Sequence, residues 1–128
     1  MDMKPKPVPG VPLAVPAPPS IPNLRILFVR AIELGRVRMS QHFRDQARLR
    51  GFSTLDAEQI LEEGEFVSGP KFEREYCSWK MEIFLRLGGK GWKLVVALDY
   101  TADYCESPLI NLITVHQIGI KHAKPTRG

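Results

Sequence analysis

Residues 74–100 read REYCSWKMEIFLRLGGKGWKLVVALDY, and this stretch predicts the centre of the fold. Apolar and polar side chains alternate through residues 74–87, which is typical of a half-buried antiparallel strand. One face would hold Cys77, Trp79, Met81, Ile83, Leu85 and Leu87. The opposite, polar face would hold Arg74, Tyr76, Ser78, Lys80, Glu82, Phe84 and Arg86. The glycine-rich residues 88–91 predict a hairpin turn into a second long strand.

Two further strands are expected to join this hairpin. Residues 109–117, LINLITVHQ, are rich in β-branched side chains and predict the last strand, after a loop. Simple alternation would place His116 and Thr114 on one face of that strand together with Leu112. A shorter strand is expected around residues 65–67. The sheet would therefore have roughly four strands, all antiparallel.

Helices are expected before the sheet. Apolar side chains recur at spacings of three and four through residues 24–34, behind Asn23 as N-cap and before Gly35 as the end of the helix. A short extended link is expected over residues 37–39. Ser40 would then cap a second helix, which runs over residues 41–50 and ends at Gly51.

A third helix is predicted to open at Thr54 and to end at Gly64, with Leu55, Ile60 and Leu61 as its apolar side. Helices come first and an antiparallel sheet follows, so the sequence predicts an α+β fold, with N-terminal helices packed on a roughly four-stranded antiparallel sheet. The 128 residues leave room for one domain.

The ends of the chain are expected to lie outside this domain. Residues 1–22 hold eight of the eleven prolines, which block both helices and central strands. We therefore expect a disordered proline-rich tail over residues 1–22, a folded domain over residues 23–118 and a basic tail over residues 119–128. The proline-rich tail could also serve as a ligand for aromatic grooves of another protein.

The sequence favours a cytoplasmic protein. Lys4 and Lys6 precede an apolar stretch, but its prolines disfavour a signal peptide, and no run approaches the ~20 apolar residues of a membrane span. Cys77 and Cys105 lack the spacing of a metal site and are interpreted as buried free thiols. Neither a phosphate-binding glycine loop nor a dinucleotide motif is present, so no metal and no cofactor are predicted.

Charge is concentrated in one region. Residues 25–50 contain seven arginines against Glu33 and Asp45. A concentrated arginine patch on a small domain favours polyanions such as nucleic acid. A helix with a solvated charged face explains the same pattern, and the sequence leaves both interpretations open.

One segment carries candidate chemistry: residues 39–52, MSQHFRDQARLRGF. His42 follows the Ser40 cap, and Arg50 lies eight residues later, about two turns along the same side of the helix. Histidine exchanges protons at physiological pH, and helix N-termini and arginines both favour phosphate. A structural role for His42 in a capping network fits the spacing equally well.

The pattern Ser-x-His-x(7)-Arg-Gly-Phe over residues 40–52, followed by a helix ending in LEEGE, resembles the bacterial family named domain of unknown function 4258. The resemblance covers roughly residues 24–117. That family has arginines four and eight residues after its histidine, and a Thr-Val-Tyr sequence in its last strand. Gln46 stands here in place of the first arginine, and His116 in place of the aromatic residue. If the first arginine is essential to the family's activity, this member would be weakened or inactive.

The resemblance implies a RelE-like, barnase–colicin-type fold and the activity of a toxin that cleaves RNA without a metal. Attack of a ribose 2′-OH on the adjacent phosphate would break the chain. Catalytic roles would fall to His42, Arg50, His116 and Thr114, and RNA-binding roles to Arg48, Arg44, Tyr76, Lys80 and Arg86. RNA is the implied substrate, and a cognate antitoxin, in some cases one with a zinc finger, the implied partner. A non-catalytic RNA- or protein-binding module with the same fold is the alternative.

Overall fold

The computed structural model describes residues 14–119. The predicted basic tail from residue 120 onward and the first 13 residues of the proline-rich tail lie outside the described part. Residues 14–20 precede the first helix without regular secondary structure. The elements in chain order are α1 (Ile21–Glu33), β1 (Val37–Met39), α2 (Gln41–Arg50), α3 (Thr54–Glu63), β2 (Glu65–Glu73), β3 (Ser78–Leu87), β4 (Lys90–Asp99) and β5 (Ile110–Ile118).

The strands form one five-stranded mixed sheet in the order β1-β5-β4-β3-β2. The four strands β2 to β5 are antiparallel, whereas β1 pairs with β5 in parallel, from Val37 opposite Ile110 to Met39 opposite Leu112. The α+β class is confirmed, but four antiparallel strands was an incomplete description. The expected link over residues 37–39 is a fifth strand, and three residues are too few to reveal a period.

The helices pack on one face of the sheet, which we call the inner face. A hydrophobic core joins the two layers. Trp79 on β3 and Trp92 on β4 are both buried there, and Trp92 packs against Phe52 with ring centroids 4.8 Å apart. Phe28 of α1 stacks on Phe66 of β2 at 6.0 Å, which holds the first helix over the far edge of the sheet.

The ends of the helices show which local sequence signals set where each helix begins and ends. The prediction of Asn23 as N-cap was wrong: α1 begins three residues earlier behind Ser20, whose hydroxyl accepts a hydrogen bond from the Asn23 backbone N–H. Pro22 fits in the first turn because backbone N–H groups there need no helical partner. Ser40 and Gly51 bound α2 as predicted, with Gly51 in the left-handed conformation.

Helix α3 begins at Thr54 as predicted, and its N-cap is Ser53, which forms a reciprocal capping box with Asp56. Ile60 and Leu61 are buried as expected, but Leu55 is 75% exposed, so its assignment to the apolar side was wrong. Ala57 takes the core position instead. At 3.6 residues per turn, Leu55 lies on the opposite side of the helix from Ala57, Ile60 and Leu61, and it therefore faces solvent.

The first strand of the hairpin is shorter than predicted, and the strand before it is longer. Residues 74–77 form a turn, so β3 starts at Ser78, which is buried although alternation placed it on the polar face. Strand β2 runs to Glu73 rather than ending near residue 67. The sequence pattern did not reveal its second half, because two register shifts around Gly69 interrupt the alternation of side chains. Both cysteines are free, but Cys77 is only half-buried and Cys105 is exposed, so their predicted burial was wrong.

Within residues 14–119, none of the helices has the length and apolar character needed to cross a bilayer.

Gly64 separates α3 from β2 at a point where no side chain fits. A Cβ there would lie 2.5 Å from Ile83 Cγ2 and 2.7 Å from the Ile60 carbonyl oxygen, although the Gly64 φ of −68° is ordinary. We expect Gly64→Ala to lower the free energy of unfolding by about 3 kcal/mol through overpacking, measured by urea denaturation.

Gly35 is the matched control. Its φ is +69°, but a Cβ there meets nothing within 4 Å, so Gly35→Ala should cost only the strain of the left-handed backbone, about 1 kcal/mol. Equal losses for the two variants would contradict the steric account of Gly64.

Candidate functional site

The candidate site is built where helix α2 meets strand β5. Strand β1 covers the edge of β5 only from Ile110 to Leu112. Beyond that point α2 lies against the strand, and the side-chain oxygen of Gln46 accepts a hydrogen bond from the Val115 backbone N–H at 3.5 Å. An edge strand leaves backbone groups unpaired, and Gln46 supplies one missing partner.

His42 and Arg50 lie one turn before and one turn after Gln46 on α2. Each is therefore about 6 Å along the helix axis from Gln46, so the two flank the contact with β5. Both side chains are exposed. Ser40 makes the N-cap bond, accepting from the Phe43 backbone N–H at 3.1 Å. The His42 imidazole thus faces solvent and does not point into apolar packing.

Thr114 and His116 lie together on the face of the sheet opposite the helices, which we call the outer face. The Thr114 hydroxyl oxygen and His116 Nε2 are 3.3 Å apart, within hydrogen-bond distance. The pairing of these two residues on one face agrees with the sequence. The prediction that Leu112 shares this face was wrong, because Leu112 points into the core. A register shift between Val95 and Val96 leaves one extra residue in β5 and reverses the alternation there.

Two residues without a predicted role extend from His116 across the outer face. Lys93 of β4 is its directly opposed neighbour on the outer face. The Lys93 ammonium in turn lies 3.5 Å from the Glu82 carboxylate of β3, and both side chains are about one-third exposed. The outer face thus carries an imidazole, an ammonium and a carboxylate on three adjacent strands. We call His116, Thr114, Lys93 and Glu82 the outer-face cluster.

Sequence alternation already indicated the side on which Glu82 would lie, and Lys93 sits between two apolar residues of the next strand. Strand pairing decides which residues stand opposite each other. Only the register of β4 against both β3 and β5 brings Lys93 between Glu82 and His116.

The two arginines of α2 with predicted RNA-binding roles, Arg48 and Arg44, already have partners within the protein. Arg48 makes an ion pair with Asp45 at 2.7 Å on the exposed side of the helix. The Arg44 guanidinium donates to the Met39 carbonyl at 3.4 Å. Both side chains are exposed, so these contacts are open to competition from solvent and from a phosphate.

The three predicted RNA-binding residues near strand β3 are not gathered at one place. Phe84 stands level with His116 across the sheet, two strand spacings or about 10 Å away. Arg86 is about 7 Å further along β3 and exposed, whereas Lys80 is about 13 Å in the other direction. Tyr76 lies in the turn before β3 and not on the strand. Arg86 is therefore the nearest of the three to the outer-face cluster.

Lys80 belongs to a polar hollow on the sheet, and Glu82 of the outer-face cluster also lines this hollow. The Lys80 ammonium lies 3.9 Å from the Glu73 carboxylate, and both residues line a cavity of about 180 Å³ with Ser68 and Lys71. Lys71 stands directly opposite Lys80. Two lysines in this register repel each other, and Glu73 offsets that repulsion.

A second set of charged residues lies around Asp99, at the end of β4 and beside the start of β5. Burial raises the pKa of the Asp99 carboxyl, and the Arg38 charge, a hydrogen bond from Asn111 at 2.9 Å and the Arg36 charge each lower it in part. These groups tie β1 to the β4–β5 pair, and they lie away from the outer-face cluster.

Among residues 14–119, no group of three or more histidine, cysteine, aspartate or glutamate side chains is placed to hold a metal ion. The chemistry that this site offers is proton transfer by imidazole, together with charge stabilisation by lysine and arginine. The fold and the site define a small α+β domain with a basic helix beside an imidazole-bearing sheet.

No protein-family model, curated protein or solved structure matches this chain.

The contact between Gln46 and Val115 should anchor α2 to the sheet. We expect Gln46→Ala to lower the free energy of unfolding by about 1 kcal/mol and to speed hydrogen exchange of the Val115 amide, because that N–H loses its partner. Urea denaturation and exchange measured by NMR test the two effects.

Gln41 offers a matched control on the same helix. Its amide donates to Asp45 at 2.9 Å on the exposed surface, so Gln41→Ala should cost about 0.3 kcal/mol and leave Val115 exchange unchanged. Unchanged Val115 exchange in the Gln46 variant would show that the contact does not hold in solution.

Proposed function

We propose that the domain is a metal-independent endoribonuclease of the toxin–antitoxin type. One observation carries the proposal: the exposed His116 imidazole lies beside Thr114 and opposite Lys93, on the strand that α2 contacts through Gln46. A second exposed imidazole, that of His42, stands one turn along this helix. Proton carriers and cations on adjoining elements are the parts that RNA cleavage without a metal requires.

The reaction is an internal transfer of the phosphoryl group. The ribose 2′-oxygen bonds to the adjacent phosphorus, and the bond from phosphorus to the 5′-oxygen of the next nucleotide breaks. A base accepts the 2′-OH proton, and an acid gives a proton to the departing 5′-oxygen. The products are a 2′,3′-cyclic phosphate and a free 5′-OH, with no change in oxidation state.

The residues divide between these tasks. His42 and His116 are the proton carriers, one as base and the other as acid, and the RNA would have to cross the β5 edge beside α2 to reach both, because His42 lies on the helix and His116 on the opposite face of the sheet. Arg50 and Lys93 stabilise the charge that builds on the phosphate oxygens, and Thr114 donates a hydrogen bond to them. The guanidinium offers a two-pronged contact and the ammonium a point charge.

Binding of the RNA chain falls to the surrounding basic side chains. Arg86 lies nearest to the outer-face cluster, and Arg44 and Arg48 extend the basic surface along α2. Lys80 and Tyr76 would contact only a longer RNA that crosses the outer face towards the start of β3. The tyrosine ring, 65% exposed, is suited to stacking on an unpaired base.

A second function, a non-catalytic RNA- or protein-binding module, is favoured by one specific observation. Gln46, which replaces an arginine in the resemblance, uses its side-chain oxygen on a backbone N–H. The position of the first arginine in the resemblance is thus used for a contact within the protein, which weakens the case for catalysis but not for binding. In either case the expected partners are RNA and a cognate antitoxin in the cytoplasm.

RNA cleavage by the purified full chain in the presence of EDTA tests the proposal. We expect fragments that end in a 2′,3′-cyclic phosphate, identified by mass spectrometry. His42→Ala and His116→Ala should each lower the cleavage rate by about 10²- to 10⁴-fold, the usual contribution of acid–base catalysis. Lys93→Ala should lower it as well, with little change in the pH profile, since lysine supplies charge and not a proton.

His122→Ala is the matched control, because no role is proposed for that histidine, and it should cleave at the original rate. Undiminished cleavage by His42→Ala would remove His42 from the mechanism. Binding of RNA by the original chain without any cleavage would replace the enzyme with the binding module.

A further inference from the structure

A groove beside helix α1 is a concave surface that the proposed function does not use. It has a volume of about 300 Å³ and is lined by Ile26, Leu27 and Arg30 of α1 and by Tyr104 and Cys105 of the loop before β5. Pro19, from the segment that precedes α1, also lines it. We call it the α1 groove.

The walls of the α1 groove are held in place. The Tyr104 ring packs against Trp79 at 5.2 Å and against Tyr100 at 5.7 Å between ring centroids. The Arg30 guanidinium donates to the Cys105 backbone carbonyl and ties the loop to the helix. A fixed aromatic wall beside an aliphatic helix face is the kind of surface on which proline-rich segments dock.

Within residues 14–119, this side of the molecule leaves apolar side chains in solvent. Ile26 is 56% exposed and Val29, one turn further along α1, is 36% exposed. The chain that enters α1 comes past the groove, because Pro19 forms part of its lining. The segment just upstream, residues 7–13, reads PVPGVPL and carries three apolar side chains, Val8, Val11 and Leu13, between prolines.

We propose that this proline-rich segment, residues 7–13, docks in the α1 groove of its own chain. In the polyproline II conformation the segment exposes its apolar side chains and loses little chain entropy on binding. Residues 14–19 connect this segment to the start of α1. They could span up to about 19 Å in the polyproline II conformation, close to the ~20 Å length of α1, so the segment could reach back along the helix. A tether this short gives an effective concentration in the millimolar range, so a weak contact suffices.

The native thiol of Cys105 reports on the groove directly. The test measures alkylation of Cys105 by iodoacetamide in the full chain, with Cys77 as the reference thiol in the same molecule, since it does not line the groove. The variant carries Val8→Ser, Val11→Ser and Leu13→Ser, which remove the apolar side chains and leave the folded domain unchanged. We expect Cys105 to react about tenfold faster in this variant, equivalent to about 1.4 kcal/mol of docking free energy.

A control variant with Lys4→Ser and Lys6→Ser alters the same end of the chain without touching its apolar side chains, and its Cys105 should react at the original rate. Equal Cys105 rates in the original chain and the triple-serine variant would overturn the proposal and leave the groove open for another protein. Protection that rises with protein concentration would also overturn it, since the occupant would then be a second copy.

Discussion

The pairing of β4 with β5 is the constraint on which the candidate site depends. The extra residue in β5 at the register shift opposite Val95 and Val96 reverses the alternation of the strand. Leu112 before it faces the core, and Thr114 and His116 after it face outwards. Without that bulge, the strand would bury its imidazole or expose its core residues, because side chains alternate with a period of two.

The edge of β5 is only partly covered by β1, and this explains why a helix lies at the candidate site. Strand β1 pairs with only three residues of β5, so the remainder of the edge requires another cover. Helix α2 provides it, with Phe43 and Ala47 buried in the core and Gln46 bonded to the strand. Edge protection and the placement of His42 and Arg50 therefore follow from one packing arrangement.

The two proposed surfaces use different parts of the domain. The outer-face cluster is polar and rests on strand register, whereas the α1 groove is largely apolar and rests on helix and loop packing. Failure of RNA cleavage would leave the groove untouched, and failure of docking would leave the cluster untouched.

Local signals in the sequence determined much of the fold: the bounds of α2 between Ser40 and Gly51, the glycine hairpin and the α+β class all rest on neighbours in the chain. Tertiary structure alone decided that β1 is a strand, that β5 bulges, and that Lys93 stands between Glu82 and His116. Caps and turns are made by residues a few positions apart, so the local sequence is enough to predict them. Register joins residues tens of positions apart, and it is set only when the whole core packs.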